Sequence, residues 1–142
     1  MTKPKLLFDA NAIYRLIREF PDEALDKLSE GSTINLAYCE LGNALWRETF
    51  LLKRITKEEA EKSLSFMYAI LGRMQVASLD SQGGTSVLDA AGKFNLTFYD
   101  SAYLTEAKKS NQTLVTDDKK LIKAAENFGV KTVSSMALAN SQ

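Results

Sequence analysis

The chain has no histidine, a single cysteine (Cys39) and only two prolines (Pro4 and Pro21) in 142 residues. Without histidine there is no Ser-His-Asp or Cys-His catalysis, no imidazole general base and no zinc site built on imidazole. A lone cysteine closes no intramolecular disulfide and makes no thiolate metal site by itself. Chemistry is left to carboxylates, hydroxyls, Lys and Arg, or an oxygen-bound metal. An excess of charge is missing too: 18 Lys and Arg balance 18 Asp and Glu, which argues against coating nucleic acid through overall basicity. No apolar run approaches the roughly 20 residues that span a bilayer. The opening Met1-Thr2-Lys3-Pro4-Lys5 leads into an apolar stretch too short for a signal-peptide core. A reduced, cytoplasmic setting and no membrane partner are expected.

What is present is an ordinary composition, 45% hydrophobic and 25% charged, and enough chain for one domain over residues 1–142 around a single core. No linker, repeat or low-complexity block divides it. Leu6-Leu7-Phe8, Thr33-Ile34-Asn35-Leu36, Val76-Ala77-Ser78-Leu79, Thr113-Leu114-Val115-Thr116 and Lys131-Thr132-Val133 read as short strands. Between them Ile13, Leu16 and Ile17 follow helical spacing, and Pro21 opens a short helix stopped at Gly31. Helices are predicted from about Tyr38 to Lys53, and over 56–75 behind a Thr56–Glu59 capping box. Others are predicted over 85–95 and 99–110 after a flexible Gly83-Gly84 loop, and along Leu121, Ala124, Ala125 and Phe128 up to Gly129. Strands alternating with helices predict an α/β domain with a mainly parallel sheet.

In an open α/β sheet, function gathers at the carboxyl ends of the strands. Asp9 directly follows the first strand, Glu40 lies on the first turn of the helix after the second, Asp100 stands near a helix start, and Asp117 and Asp118 follow Thr113–Thr116. Parallel strands would bring these acids to one edge. A carboxylate cluster repels itself, and a hard divalent ion such as Mg²⁺ or Mn²⁺ is the simplest relief, needing no imidazole. Each acid also has a plainer explanation. Asp is a preferred helix N-cap, Asp117 is the clearest such case, and Asp80 shows how readily the position recurs. Glu40, amid Ala37, Tyr38, Cys39 and Leu41, is expected to be partly buried. Cys39 reads as a small core residue, and Trp46, Phe50 and Tyr68 as core or partner contacts. The basic pairs are mostly solvated faces, but Arg15, Arg18 and Lys119 lie close enough to the acid junctions to touch substrate phosphates.

Four segments together resemble a known family. Leu7-Phe8-Asp9-Ala10-Asn11-Ala12-Ile13 resembles the opening Asp-x-Asn/Ser motif of PIN domains. Glu40-Leu41-Gly42-Asn43-Ala44-Leu45 resembles their second acid with its helix, and Tyr99-Asp100-Ser101-Ala102-Tyr103-Leu104 the third. Leu114-Val115-Thr116-Asp117-Asp118-Lys119-Lys120-Leu121 resembles the closing Thr-x-Asp-x-x-Leu motif. Order and spacing match the VapC-like group across nearly the whole chain.

The resemblance implies a three-layer α/β/α sandwich with a mainly parallel sheet of about five strands. It further implies a Mg²⁺- or Mn²⁺-dependent endoribonuclease, commonly the toxin of a toxin–antitoxin pair. Asp9, Glu40, Asp100 and Asp118 map onto the metal-holding catalytic acids, Asn11 and Thr116 onto supporting polar positions, and Asp117 becomes the cap or a substitute for Asp118. RNA is the implied substrate and an antitoxin protein the implied partner. A homodimer is expected through the apolar residues of the helices at 38–53 and 56–75. Two alternatives stay open: a non-catalytic PIN-like binding module, and a Mg²⁺-dependent phosphatase-like domain, against which Asn11 stands where an Asp-x-Asp nucleophile pattern needs aspartate. With four acids assigned to a metal site, 18 basic groups face 14 acidic ones, a remainder of +4 that leaves RNA binding open.

Overall fold

The computed structural model describes residues 5–141. Among them β1 (Leu6–Phe8), β2 (Ser32–Ile34), β3 (Gln75–Ala77), β4 (Thr113–Val115) and β5 (Thr132–Val133) form one sheet, ordered β3-β2-β1-β4-β5, with every pairing parallel. Parallel neighbours need crossovers, and helices supply them: α1 (Ala10–Glu19) and α2 (Pro21–Ser29), α3 (Leu36–Trp46) and α4 (Lys57–Leu71), α5 (Ser81–Phe94) and α6 (Phe98–Lys109), then α7 (Lys119–Phe128). A short α8 (Ser135–Ala139) closes the chain. The strand order runs outward from β1 in one direction, then returns to its other side. With right-handed crossovers that reversal puts α1–α4 on one face and α5–α7 on the other. The packing agrees, since α1 touches α2, α3 and α8 while α6 lies on β1, β2 and β4 between α5 and α7.

The central strands show no polar alternation because both faces of the sheet are covered. Leu7, Phe8, Leu114 and Val115 are fully buried at the centre, and Ile13 and Leu16 of α1 join them. Gly31 is there for space. A Cβ on it would sit 2.5 Å from the Phe8 ring, whose backbone leads directly into Asp9.

The α/β class, the parallel sheet and the sandwich are as the sequence predicts, and the Thr56–Glu59 capping box is present in both halves. Several boundaries differ. The helix expected at 38–53 starts at Leu36, so Glu40 lies in its second turn, and it ends in a π-helical turn over Arg47–Leu51. Gly83 and Gly84 are not loop: Asp80 caps α5 by accepting from the Gly83 N–H at 2.7 Å, and the glycines form its first turn. Cys39 is exposed rather than in the core, because it falls on the outer side of α3 between half-buried Tyr38 and Glu40.

Candidate active site

Where strand order reverses, the loops after β1 and β4 part and leave a crevice at the carboxyl edge of the sheet. Asp9 stands at that point. Its N–H still bonds the Val115 carbonyl at 3.1 Å, extending the β1–β4 ladder by one residue. Its carboxylate accepts from the Ala12 N–H at 2.8 Å as the N-cap of α1 and is hydrogen-bonded by the Thr116 hydroxyl. Only 6% of Asp9 is exposed. Burial is the main reason its pKa is raised to about 6; the hydrogen bonds oppose the rise, and the charges of Asp117 and Asp100 add to it.

Glu40 approaches from α3. Burial raises its pKa, the hydroxyl of Tyr103 donates to its Oε1 at 2.7 Å and opposes that rise, and Asp100 adds repulsion. Asp100 lies in the first turn of α6, its N–H bonded by the Thr97 cap at 3.1 Å. Its pKa is also raised, first by burial and then by Asp118, with Lys120 opposing. Asp9, Glu40 and Asp100 therefore share one electrostatic environment in which each is harder to ionise.

The two acids after β4 divide their work differently from expectation. Asp118, not Asp117, caps α7, accepting from the Leu121 N–H at 3.0 Å, while the Asp118 N–H bonds the buried Thr116 hydroxyl at 3.2 Å. Asp117 is held by Ser135 at the start of α8, through its N–H at 2.9 Å and its hydroxyl at 2.6 Å. Asp117 also lies 3.6 Å from Arg15, which pairs with Glu19 as well. Of the other basic residues, Arg18 lies over the Tyr14 ring at 5.8 Å, and Lys119 is exposed at the first position of α7. Lys120, rather than Lys119, is the cation whose charge opposes the rise at Asp100. Asn11 is exposed on α1.

Among the described residues no three acidic, thiol or imidazole side chains converge on one point as a closed cage. The chemistry of the donor set nonetheless fits a hard divalent ion. It is all oxygen, and carboxylates that burial and mutual repulsion make harder to ionise have the most to gain from a shared cation.

Sequence reasoning missed two contributors. Tyr103 is buried, its ring part of the core and its hydroxyl on Glu40. Its sign was an aromatic three positions after Asp100 with a polar end to satisfy. Arg47, the first residue of the π-helical turn after α3, lies about two turns beyond Glu40 and lines the same cleft as Glu40, Asn11 and Asn43. Its sign was the i, i+3, i+7 spacing of Glu40, Asn43 and Arg47.

This fold with acids at its switch point is that of a PIN domain, and a sequence model of the PIN domain family matches residues 6–127. The chain belongs to that family. It is 32% identical over 116 residues to the exonuclease VapC9 of Pyrobaculum aerophilum, covering 82% of each chain. It is 30% identical over 131 residues to the ribonuclease VapC3 of the same organism, covering 87% of this chain and 95% of that one. Among solved structures it resembles PAE2754 from Pyrobaculum aerophilum, with a TM-score of 0.77 and 27% identity over 96% of this chain and 94% of that one. It also resembles the DNA-bound VapBC from Salmonella typhimurium, with a TM-score of 0.65 and 17% identity over 94% and 99% of the two chains, a likeness of fold.

Proposed function

We propose that this chain is a Mg²⁺- or Mn²⁺-dependent endoribonuclease and the toxin half of a toxin–antitoxin pair. The observation that carries the reading is Asp9, buried at the switch point and raised in pKa, facing the charge of Asp100. Asp9, Glu40, Asp100 and Asp118 would hold the metal. The ion, when bound, supplies Lewis-acid relief of the charge developing on a phosphodiester and acidifies water. The protein's own work is placement. The Ala12 N–H and the Thr116 hydroxyl fix Asp9, Tyr103 fixes Glu40, and burial keeps bulk water from screening Asp9. Arg18 and Lys119 are free to meet substrate phosphates, whereas Arg15 already serves Glu19 and Asp117. Nuclease names on the two VapC relatives support the reaction class, and the resemblance to VapC-like members supports a small antitoxin as partner and a cytoplasmic setting.

With Mg²⁺ or Mn²⁺ the purified chain is expected to cut single-stranded RNA, including a circular RNA that offers no end, and chelation by EDTA to stop it. Asp9→Asn and Asp100→Asn should each lower the rate by about a thousandfold, roughly 4 kcal/mol of transition-state stabilisation. A folded Asp9→Asn protein cutting at the parent rate would overturn the assignment. Cleavage of linear but not circular RNA would overturn the internal-cutting part alone.

A further inference from the structure

The cleft between α1 and α3 has a volume of about 260 Å³ and is lined by Asn11, Tyr14, Glu40, Asn43, Arg47 and Glu48, among others. We infer that it is a nucleotide-reading subsite, taking the ribonucleotide beside the phosphodiester that is cut; the inference rests on the nuclease reading above.

The position is the first reason. Glu40 belongs both to the acid cluster and to the wall of this cleft, so a nucleotide lodged here has its own phosphate next to the carboxylates. The cleft lies just below the roughly 300–1,000 Å³ of small-molecule sites, room for one nucleotide and not a run of them.

The chemistry of the lining is the second. Asn11 and Asn43 are both exposed, and each carboxamide offers a donor and an acceptor on one group, the combination that matches the edge of a base. Tyr14 contributes a half-buried aromatic ring, polarised by the Arg18 guanidinium 5.8 Å from its centroid, and aromatic rings are surfaces on which unpaired bases stack. At the far end Glu48 is paired with Arg54 at 3.4 Å, so its charge is met from outside the cleft. Arg47 forms no ion pair among the described residues and is exposed, which leaves it as the cleft's cation for a phosphate. Tyr14 lies on α1, Glu40 and Asn43 on α3, and Arg47 opens the π-helical turn that continues α3, so regular backbone sets the spacing of these side chains.

Binding tests this apart from cleavage. In an Asp100→Asn background, so that RNA stays intact, fluorescence anisotropy with short labelled oligo-A, oligo-C and oligo-U should show a preference for one base. Asn43→Ala should flatten that preference by about tenfold. Arg47→Ala should weaken all three oligonucleotides alike by about tenfold and lower the salt slope by roughly 0.7. Equal binding of the three homopolymers by the parent, or parental binding by both variants, overturns the subsite. Selective binding by a parent chain that cuts no RNA would uphold the subsite and overturn the nuclease reading.

Discussion

Asp9 is held where an ionised carboxylate is least welcome, and that has a measurable consequence. Burial pushes its folded carboxyl up to about 6 from the ordinary 3.8, so between those values the folded state alone keeps the proton. Stability from this group is therefore fullest below about pH 4 and is lost as pH rises through 6, by on the order of 3 kcal/mol at pH 7. The direction at Glu40 and Asp100 is the same. Metal-free protein should accordingly melt higher at pH 5 than at pH 7, the reverse of ordinary acid destabilisation. Asp9→Asn keeps a competent N-cap for α1 and should remove most of that difference; Asp9→Ala also removes the cap, which costs about 1 kcal/mol and obscures the result. A thermal melt in EDTA at the two pH values checks this, and identical pH profiles for parent and Asp9→Asn would refute it. Asp9, Glu40 and Asp100 were legible in the sequence because strand ends and helix starts mark them. The roles of Asp117 and Asp118 were not. Adjacent aspartates look alike until the first helical residue is known, and with Lys119 in that position only Asp118 reaches back to Leu121.

Among the elements, α6 and α3 are joined at the site by the Tyr103–Glu40 hydrogen bond, which crosses from one face of the sheet to the edge of the other. Tyr103→Phe should leave the core filled but free Glu40 to move. The dissociation constant for Mn²⁺, read by calorimetry, should then rise about tenfold, with much of the cleavage rate recovered at saturating metal. A lower melting temperature with unchanged Mn²⁺ affinity would assign Tyr103 to packing alone. Its role escaped the sequence because a tyrosine in an apolar stripe declares burial, not the partner of its hydroxyl. Gly83 and Gly84 misled for a related reason. Glycine pairs favour loops, but Asp80 captures the Gly83 N–H, and packing of Val87, Ala90 and Ala91 carries the helix through its weak start. The α8 helix lacked any long apolar period; it is fastened by its own Ser134 cap and by Asp117 through Ser135.

At the scale of the whole molecule, no helix among the described residues is long and apolar enough to cross a membrane. The surface is uneven instead. Trp46, Phe50 and Leu51 are each about half exposed at or beside the π-helical turn, as is Phe66 on α4. Beside them a shallow groove of about 190 Å³ runs between α3 and α4, with Leu45, Leu64, Lys57 and Glu61 in its walls. Scattered apolar residues are unremarkable, but two exposed aromatics, Trp46 and Phe50, lining one apolar groove suit a protein interface. We propose that this surface carries the homodimer expected from the sequence. Light scattering at micromolar concentration should return twice the chain mass of 15.8 kDa, and Phe50→Glu should halve it without lowering the melting temperature of the monomer. A monomeric parent would remove the proposal.

The sheet order also sets a timetable. β1 is made first, yet one of its neighbours in the finished sheet is β4, whose Leu114 lies opposite Leu7, and Thr116 and Asp118 follow only after that strand. The acid cluster is thus assembled from both ends of the polypeptide, across the longest separation the sheet contains. Such distant pairing is slow to form, and during synthesis Asp9 emerges long before Thr116, the more distant of the two groups that fix it. Synthesis must pass Asp118 before the four acids can converge, so a chain terminated ahead of β4 would carry at most Asp9, Glu40 and Asp100 of the proposed site.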